Sequence, residues 1–409
     1  MKKVWKILSI FIILYFLISF WNTATQKAAV KPFWYDELNE LNITCRCSFM
    51  RMIREGAFTQ CSAPPFYYIV SKYILSKWIV DGSESMQEIL IKSRIISKAS
   101  VVSLFFILII ILIQIPGLRW IYFPLVLFSF LDFIGSEEGH ILWASTETRP
   151  YGFWTFMVTL NLLLLYNLEL KYRKNKSLST TMFILFSIQS FFLMATATPG
   201  IIQWSIPFSI AFCLWKRDRI LSFLKSKNIY GTLILFVGIG IAIYYCTREL
   251  CNLHPFYGNT WGTIFQFFTG YRTPVMFMLM IFGWIHVIIH FDEFVSKMVI
   301  GQIIILLSMI IIVHLQKYHF VPRVFIMGHF LSFFLAIAGC KQIDHLFRIY
   351  FKEKIWIANI IVLFMISISF YHSESMQQIV KCGSFSLRLE PASPLIDQRT
   401  ELLFPLCSD

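Results

Sequence analysis

Long apolar runs separated by short polar segments dominate the hydrophobic pattern of this chain of 409 residues. An apolar run of about 20 residues is long enough for an α-helix to cross a bilayer. We therefore predict an all-α polytopic membrane protein with about eleven transmembrane helices. The predicted spans cover residues 4–22, 93–115, 120–136, 150–170, 179–195, 200–215, 229–246, 274–291, 296–314, 324–340 and 355–371.

Three short clusters of lysines and arginines lie between these spans, at 171–176, 216–227 and 341–354. Cytoplasmic loops carry such an excess of cations, so the clusters indicate the orientation of the chain. With the N-terminal lysines inside as well, eleven crossings place all three clusters in the cytoplasm. The net charge of +13 is thus a topology signal, and binding to nucleic acid is not expected.

The predicted topology leaves a long first external loop, residues 23–92, after a retained N-terminal span. Counting the stretch 65–78 as a twelfth span would move the basic clusters to the wrong face. Because Lys72 and Lys77 interrupt this stretch, we predict a helix that lies along the outer interface. One transmembrane domain is therefore expected over 1–371, followed by a short external C-terminal tail over 372–409.

Composition agrees with a membrane location, since the mean hydropathy is +0.66 and hydrophobic residues make up 57% of the chain. The cysteines are unevenly distributed between the two faces of the membrane. Those predicted on the external face are Cys45, Cys47, Cys61, Cys246, Cys251, Cys382 and Cys407. This bias predicts an oxidising compartment with some disulfides, whose pairing stays open. The alternative is that cysteines simply avoid lipid-facing positions here.

Candidate chemistry is concentrated in the external segments. Asp36 and Glu37 follow the first span beside Trp34 and Tyr35, and adjacent carboxylates are rare in so apolar a chain. Other polar residues at external span ends are Glu137, Glu138, His140, Glu147, Arg149, His254, Tyr257, Arg272, Lys317, Tyr318, His319 and Arg323. Together they predict an outward cavity with carboxylates for proton abstraction and cations for a phosphate.

Simpler readings of the same residues stay open. Asp36 and Glu37 could only stabilise the first turn of an interfacial helix, where the helix dipole favours carboxylates. Arg149 and Arg323 each adjoin a proline at the start of a span, which suits an interface anchor. His254 could likewise be an ordinary solvated loop residue rather than a ligand.

Four short motifs occur in a definite order along the first 200 residues. They are Asp36-Glu37 after the first span, Pro64-Pro65-Phe66-Tyr67-Tyr68, Ser93-Arg94-Ile95-Ile96-Ser97, and Glu147-Thr148-Arg149-Pro150-Tyr151. In this order they resemble the GT-C glycosyltransferases, in particular the polyprenyl-phosphate-sugar-dependent family that includes protein O-mannosyltransferases and lipid A aminoarabinose transferases. Beyond residue 200, the resemblance extends only to the span count and the region 317–323.

The resemblance implies a GT-C-like fold and transfer of a sugar from a polyprenyl-phosphate-linked donor to an acceptor hydroxyl on the external face. The acceptor would be a lipid, a glycan or a protein. Asp36 would be the catalytic base, and Glu37 a second catalytic residue that orients the acceptor or the base. The expected donor phosphate-binding residues are Arg149, Arg323, Lys317 and Arg272. The expected substrate-binding residues are Tyr151, Glu147, His254 and Tyr35.

No cofactor is expected, and since the chain has no Asp-x-Asp motif, metal independence is favoured over a divalent metal. Other enzyme classes with similar cavities, polymerases or ligases of lipid-linked glycans, stay open. So do a transporter or flippase of a lipid-linked or small polar substrate and a non-catalytic membrane scaffold. A transporter would place charged residues near span centres, whereas here they crowd the outer ends.

The expected location is the cytoplasmic (inner) membrane of a bacterial cell envelope, with the active site facing the periplasm. The Lys-, Ile- and Phe-rich composition favours this location. The endoplasmic reticulum membrane is the alternative, because Asn42-Ile43-Thr44 forms a glycosylation sequon in the first external loop.

Overall fold

The computed structural model describes residues 2–33, 35–55, 64–78, 85–131, 141–175, 178–213, 228–252, 273–315, 325–351 and 354–373. Within these ranges the chain forms α-helices and short 3-10 turns, and no β-strand. The prediction of an all-α protein is confirmed. Nearly all of the predicted C-terminal tail, 372–409, lies outside the described residues, so the predicted division into domains stays a prediction.

Nine helices occupy the described N-terminal part of the chain. They are α1 (Lys2–Val30), α2 (Tyr35–Arg46), α3 (Phe49–Glu55), α4 (Phe66–Trp78), α5 (Met86–Ser93), α6 (Ile95–Gln114), α7 (Phe123–Leu131), α8 (Ile141–Ala144) and α9 (Tyr151–Asn175). A 3-10 turn, Trp120–Tyr122, leads directly into α7.

The described helices that follow are all apolar. They are α10 (Thr180–Met194), α11 (Gly200–Cys213), α12 (Ile229–Asn252), α13 (Pro274–Ile289), α14 (Phe294–Leu315), α15 (Gly328–Phe351) and α16 (Ile355–His372).

Among the described residues, six helices are long and apolar enough to cross a membrane: α1, α6, α9, α14, α15 and α16. This agrees with a multi-pass membrane protein. Shorter apolar helices lie at the other predicted spans: Trp120–Leu131, Thr180–Met194, Gly200–Ala211, Ile229–Tyr245 and Pro274–Ile289. The count of eleven crossings therefore stays a prediction.

Helix α1 extends well beyond the predicted span 4–22. Its 29 residues correspond to about 43 Å, against roughly 30 Å for the hydrocarbon core of a bilayer. Residues 23–30, expected in the first external loop, continue the helix because neither proline nor glycine interrupts them. The helix ends just before Lys31-Pro32, where the proline disfavours helical geometry in the preceding residue. The first helix is therefore longer than the apolar layer is thick.

Helix α4 confirms the helix predicted over 65–78. Pro64 and Pro65 precede its first turn, a position where prolines fit a helix. The Phe66 amide donates to the carbonyl of Ala195 over 3.0 Å, and the Phe66 and Phe192 rings stack with centroids 4.5 Å apart. At 13 residues, the helix is too short to cross the apolar layer.

Helices α13 and α15 pack against each other more extensively than any other described pair of helices. Of the six candidate spans, α15 is the most buried. A Cβ atom on Gly283 would collide with the carbonyl oxygen of Leu335, and one on Gly339 with that of Leu279. Glycines at both positions let the two backbones touch, which is a common way for membrane helices to pack.

The two ends of α1 mark opposite faces of the molecule. Near its start, the Lys6 ammonium lies 4.7 Å from the centroid of the Trp120 ring. Just past its end, the Lys31 ammonium lies 3.2 Å from a Glu147 carboxylate oxygen. Lys6 and Lys31 are separated by roughly 38 Å along the helix axis. The face at the Lys31 end also carries the first residues of α2, α6 and α9.

Candidate functional site

Six charged residues meet at the Lys31 end of the molecule and are called here the first-loop cluster. They are Lys31, Glu37, Glu40, Arg94, Glu147 and Arg149. The three carboxylates are almost completely buried, with exposures of 0% for Glu37, 2% for Glu40 and 1% for Glu147. Carboxylates are buried at such levels only when cations or hydrogen-bond donors compensate them.

Helix α2 supplies two of these carboxylates. Pro32 closes the preceding turn, and the helix begins at Tyr35, so Glu37 lies in its first turn. Glu40 follows three residues later and therefore lies on the same face. Leu38 and Leu41 are buried in a separate apolar cluster with Leu75, Ile89 and Leu90, which fixes the rotation of the helix.

Arg94, between α5 and α6, compensates Glu37. Its Nη2 lies 3.1 Å from Glu37 Oε2, and both side chains are fully inaccessible. Nη1 also donates to the carbonyl oxygens of Ala28 and Lys31 over 2.8 and 2.6 Å, and Nη2 to that of Pro32 over 3.2 Å. One guanidinium thus joins the end of α1 to the start of α2. The planar fork of arginine suits such multiple contacts better than the single ammonium of lysine.

The segment between α8 and α9 closes the cluster from the other side. The backbone N–H of Thr148 donates to Glu37 Oε1 over 2.8 Å, and its hydroxyl lies 3.4 Å from the same oxygen. Glu147 pairs with Lys31, whose ammonium also lies 4.0 Å from the centroid of the Trp143 ring. Residues from the first and second predicted external loops are therefore in direct contact.

Arg149 and Glu40 form the outer part of the cluster. Arg149 Nε lies 2.9 Å from Glu40 Oε1, and the Tyr68 hydroxyl of α4 donates to Glu40 Oε2 over 3.2 Å. The guanidinium also lies 5.3 Å from the Tyr151 ring centroid, and the Arg149 carbonyl accepts a hydrogen bond from Ser97 over 3.2 Å. The side chain of Arg149 keeps 16% exposure, in contrast to the buried Glu40.

Burial dominates the electrostatics of the Lys31–Glu147 pair. Desolvation raises the pKa of Glu147 to about 7, against the opposing effect of Lys31, and the nearby Glu37 raises it further. Desolvation also lowers the pKa of Lys31, more than the attraction of Glu147 and Glu37 raises it. Glu147 Oε2 is buried and has no hydrogen-bond partner among the residues the structure describes. Glu147 can therefore gain or lose a proton near neutral pH.

The structure brings together Glu37, Glu147, Arg149 and Tyr151 from the residues selected by sequence. For Asp36 and Tyr35 it gives the backbone, in the first turn of α2, while their side chains fall outside the described part. Arg272, Lys317, Arg323 and His254 lie outside the described residues altogether. Both oxygens of Glu37 are engaged by Arg94 and Thr148, a geometry that suits the orienting role.

Sequence reasoning did not select Lys31, Glu40, Arg94 or Tyr68 as site residues. Two signals were available for them. Glu37 and Glu40 are spaced three apart, as neighbours on one helix face would be. Arg94 and Tyr68 each stand within motifs already singled out, and an arginine at the mouth of an apolar run needs a partner.

The predicted metal independence and the predicted external disulfides both stay predictions. Among the described residues, no group of three or more His, Cys, Asp and Glu side chains is placed to hold a metal ion. Cys47 has a free thiol, and the carbonyl oxygens of Cys45 and Cys47 accept hydrogen bonds from Lys72 over 2.8 Å each. The other predicted external cysteines have side chains outside the described part, so the disulfide prediction stays a prediction.

Comparison with known proteins gives no relative from which a role could be transferred. No protein-family model matches the chain, and a search of curated proteins finds no match either.

Proposed function

We propose that this chain is a membrane glycosyltransferase with a GT-C-like fold, which moves a sugar from a polyprenyl-phosphate-linked donor to an acceptor hydroxyl. One observation carries the proposal: three of the four motifs of the GT-C resemblance contact one another, and the fourth joins them through Glu40 of α2. Glu37 contacts Arg94 and Thr148, and Glu40, one turn further along α2, contacts Arg149 and Tyr68. Motifs far apart in sequence are expected to meet where they form one site.

In this proposal Asp36 acts from the first turn of α2. Asp36 precedes Glu37 in the first turn of α2, and the Glu37 contacts hold that turn against α1, α6 and the 147–149 segment. Asp36 accepts the proton of the acceptor hydroxyl. The acceptor oxygen then forms a bond to the anomeric carbon, and the bond between that carbon and the phosphate oxygen breaks.

The departing polyprenyl phosphate carries negative charge, which a nearby cation stabilises. Arg149 is the described candidate, because Glu40 and Tyr151 hold its partly exposed guanidinium in place. Arg323, Lys317 and Arg272 are the further candidates from the sequence. Glu147 is assigned to the acceptor, and a second hydroxyl of the acceptor, other than the reacting one, would complete the hydrogen bonding of the buried Glu147 Oε2.

The proposed location is a bacterial cytoplasmic membrane with the first-loop cluster on the periplasmic face. The distribution of basic clusters along the sequence supports this orientation. A donor held in the membrane by its polyprenyl chain would then reach the cluster from the outer leaflet.

The test is turnover of purified protein in phosphatidylcholine nanodiscs with a panel of polyprenyl-phosphate sugars. Wild type should release polyprenyl phosphate from at least one donor. Asp36→Asn should slow this release by about a hundredfold or more, the usual contribution of a general base. Asp292→Asn, an exposed aspartate near the opposite end of the molecule, is the matched control and should keep wild-type turnover.

Two results would contradict the proposal. One is no release from any donor of the panel, with donor movement across the bilayer instead, which would favour a transporter. The other is equal turnover of Asp36→Asn and wild type, which would remove Asp36 from the chemistry.

A further inference from the structure

Lys98 is a buried lysine that the first-loop cluster does not use. It is the fourth residue of α6, one helical turn after Arg94, and only 3% of its surface is exposed. Its ammonium donates to the Thr25 hydroxyl over 2.8 Å and lies 4.1 Å from the centroid of the Trp21 ring. Both contacts belong to α1.

The charge of Lys98 has no carboxylate partner within the part of the chain that the structure describes. In the first-loop cluster, each of the three carboxylates faces a cation of its own: Glu147 faces Lys31, Glu37 faces Arg94, and Glu40 faces Arg149. Lys98 is thus an additional cation. An ammonium has three N–H donors and no acceptor, and Thr25 accepts one of them. Because a buried charge is costly without a counter-ion, the site favours an anion.

The groups that surround the ammonium reach the outer surface of α1. Trp21, whose ring covers it, is 36% exposed and shares an outward stripe of α1 with Leu14 and Ile18. The Thr25 hydroxyl donates to the Trp21 carbonyl over 2.8 Å, so it belongs to the same side. Displacement of one aromatic side chain would open Lys98 to the membrane.

The depth of the site matches the level of lipid phosphates. Lys6 marks the other end of the apolar stretch of α1, and from Lys6 to Thr25 the helix rises about 29 Å. The hydrocarbon core of a bilayer is roughly 30 Å thick. Thr25 and Lys98 therefore stand at the boundary between acyl chains and headgroups, one turn below the first-loop cluster.

We propose that Lys98, with Thr25 and Trp21, binds the phosphate of a lipid-linked phosphate that approaches from the membrane. The assignment of that phosphate to the sugar donor rests on the proposed function. Hydrogen bonds between an ammonium and a phosphate are charge-assisted and replace the weaker contact with the Trp21 ring. The same chemistry is offered by the headgroup of an anionic phospholipid, and the experiment separates the two sources.

Binding of farnesyl phosphate to the full chain in phosphatidylcholine nanodiscs tests the proposal, with farnesol as the ligand without a phosphate. Wild type should bind farnesyl phosphate at least about tenfold more tightly than farnesol. Lys98→Met keeps the length of the side chain and removes the charge, and it should weaken farnesyl phosphate binding by about tenfold or more. Lys98→Arg should stay within about threefold of wild type, since the cation is kept.

Lys297→Met is the matched control. Like Lys98, Lys297 is buried and is the fourth residue of its helix, here α14. It follows Glu293 by one helical turn, and the ion pair of Glu293 lies at the Lys6 end of the molecule. This variant should bind farnesyl phosphate like wild type. Equal binding by Lys98→Met and wild type would overturn the proposal, and so would an equal loss in Lys297→Met. If Lys98→Met does not fold, Lys98→Gln serves the same test, because it can still bond to Thr25 without a charge.

Competition with phosphatidylglycerol identifies the source of the phosphate. Displacement only by excess phosphatidylglycerol assigns the site to the polyprenyl donor, whereas displacement at equal concentration overturns that assignment in favour of a phospholipid headgroup. The two proposals fail separately. Charge-dependent binding at Lys98 without turnover of any donor would sustain the lipid phosphate site and reject the transferase, and turnover with unchanged binding in Lys98→Met would do the reverse.

Discussion

The two ends of the molecule use charged residues in opposite ways. At the Lys31 end, the first-loop cluster joins segments far apart in sequence, and the ion pair of Glu37 and Arg94 is fully buried. At the Lys6 end, several ion pairs lie in the rim and are called here the far-end pairs: Arg119–Asp344, Arg348–Asp344, Arg173–Glu169 and Lys341–Glu293. In two of these pairs the partners are four residues apart within a single helix. Their arginines are largely exposed, at 60% for Arg348 and 48% for Arg173.

The two ends therefore differ in how much stability their charged pairs can contribute. An ion pair with an exposed partner contributes less, because solvent screens the attraction. Buried pairs cost desolvation on both partners, so their gain in stability over apolar residues is small. A cluster of six buried or nearly buried charges at one end of a membrane protein therefore favours a functional reason for keeping it.

The largest expected effect comes from breaking the centre of the first-loop cluster. Arg94→Met leaves the Glu37 carboxylate buried without its cation and three carbonyl oxygens without a donor. We expect a loss of about 3–5 kcal/mol in the free energy of unfolding. Denaturation with increasing sodium dodecyl sulfate in mixed micelles measures it. Arg94→Lys should recover part of the loss, and a wild-type value for Arg94→Met would show that the pair is not needed.

The second effect concerns pH and contrasts Glu147 with Glu293. The pKa of Glu147 is raised to about 7 from an ordinary 4.5, so the folded protein binds more protons between these values. This contribution to stability is fully present below the ordinary pKa and is lost as the pH rises through the raised one. We expect the free energy of unfolding to fall by roughly 3 kcal/mol over this range, and Glu147→Gln to abolish the fall.

Glu293 provides the control for this prediction. Hydrogen bonds from His286 and Lys341 lower the pKa of Glu293 to about 2. The stabilisation from its ion pair is present above the ordinary pKa and is lost only as the pH falls towards this low value. Glu293→Gln should therefore leave the slope near neutral pH unchanged. The same slope in Glu147→Gln as in wild type would mean that another group titrates.

A smaller effect is expected from two matched buried tyrosines. Tyr68 donates to Glu40 over 3.2 Å in the first-loop cluster, and Tyr122 donates to Asp344 over 3.2 Å at the far end. Each tyrosine-to-phenylalanine variant should lose about 1–3 kcal/mol of stability, because a buried carboxylate loses a donor. Only Tyr68→Phe should also lower turnover per folded molecule, since Glu40 positions Arg149. Equal turnover in the two variants would remove this distinction between the ends.

The smallest effect is expected at the far-end pairs themselves. Arg348→Met removes a 60% exposed partner from Asp344, which keeps its ion pair with Arg119. It should change the free energy of unfolding by less than about 1 kcal/mol. The same denaturation assay in sodium dodecyl sulfate measures the change, and a loss as large as that of Arg94→Met would contradict the comparison.

The all-helical architecture could be predicted from sequence because apolar runs of membrane length leave few alternatives. Within the described residues, each predicted span overlaps a helix, and six of these helices are long and apolar enough to count as candidate crossings. The continuation of α1 to Val30 was missed, because hydropathy falls at Asn22 while helix propensity does not. Hydropathy thus locates spans better than it locates helix ends.

The site was predictable only in part. Asp36-Glu37 and Glu147-Thr148-Arg149 stood out as charges in an apolar chain, and the structure places Glu37 beside Thr148. The central role of Arg94 could not be deduced, since three of its contacts go to backbone carbonyls, which have no sequence signature. Contacts of this kind depend on how α1 ends, and that end was itself not foreseen.

The number of residues in α1 determines the height and the direction of the groups at its C-terminal end. Each residue in a helix advances the chain by about 1.5 Å and turns it by about 100°. A single residue inserted between Asn22 and Ala28 would therefore rotate Lys31 away from Glu147 and the carbonyls of Ala28 and Pro32 away from Arg94. An insertion of about seven residues would restore the phase but raise these groups by about 10 Å. In this stretch of α1, substitutions should therefore be tolerated better than insertions or deletions.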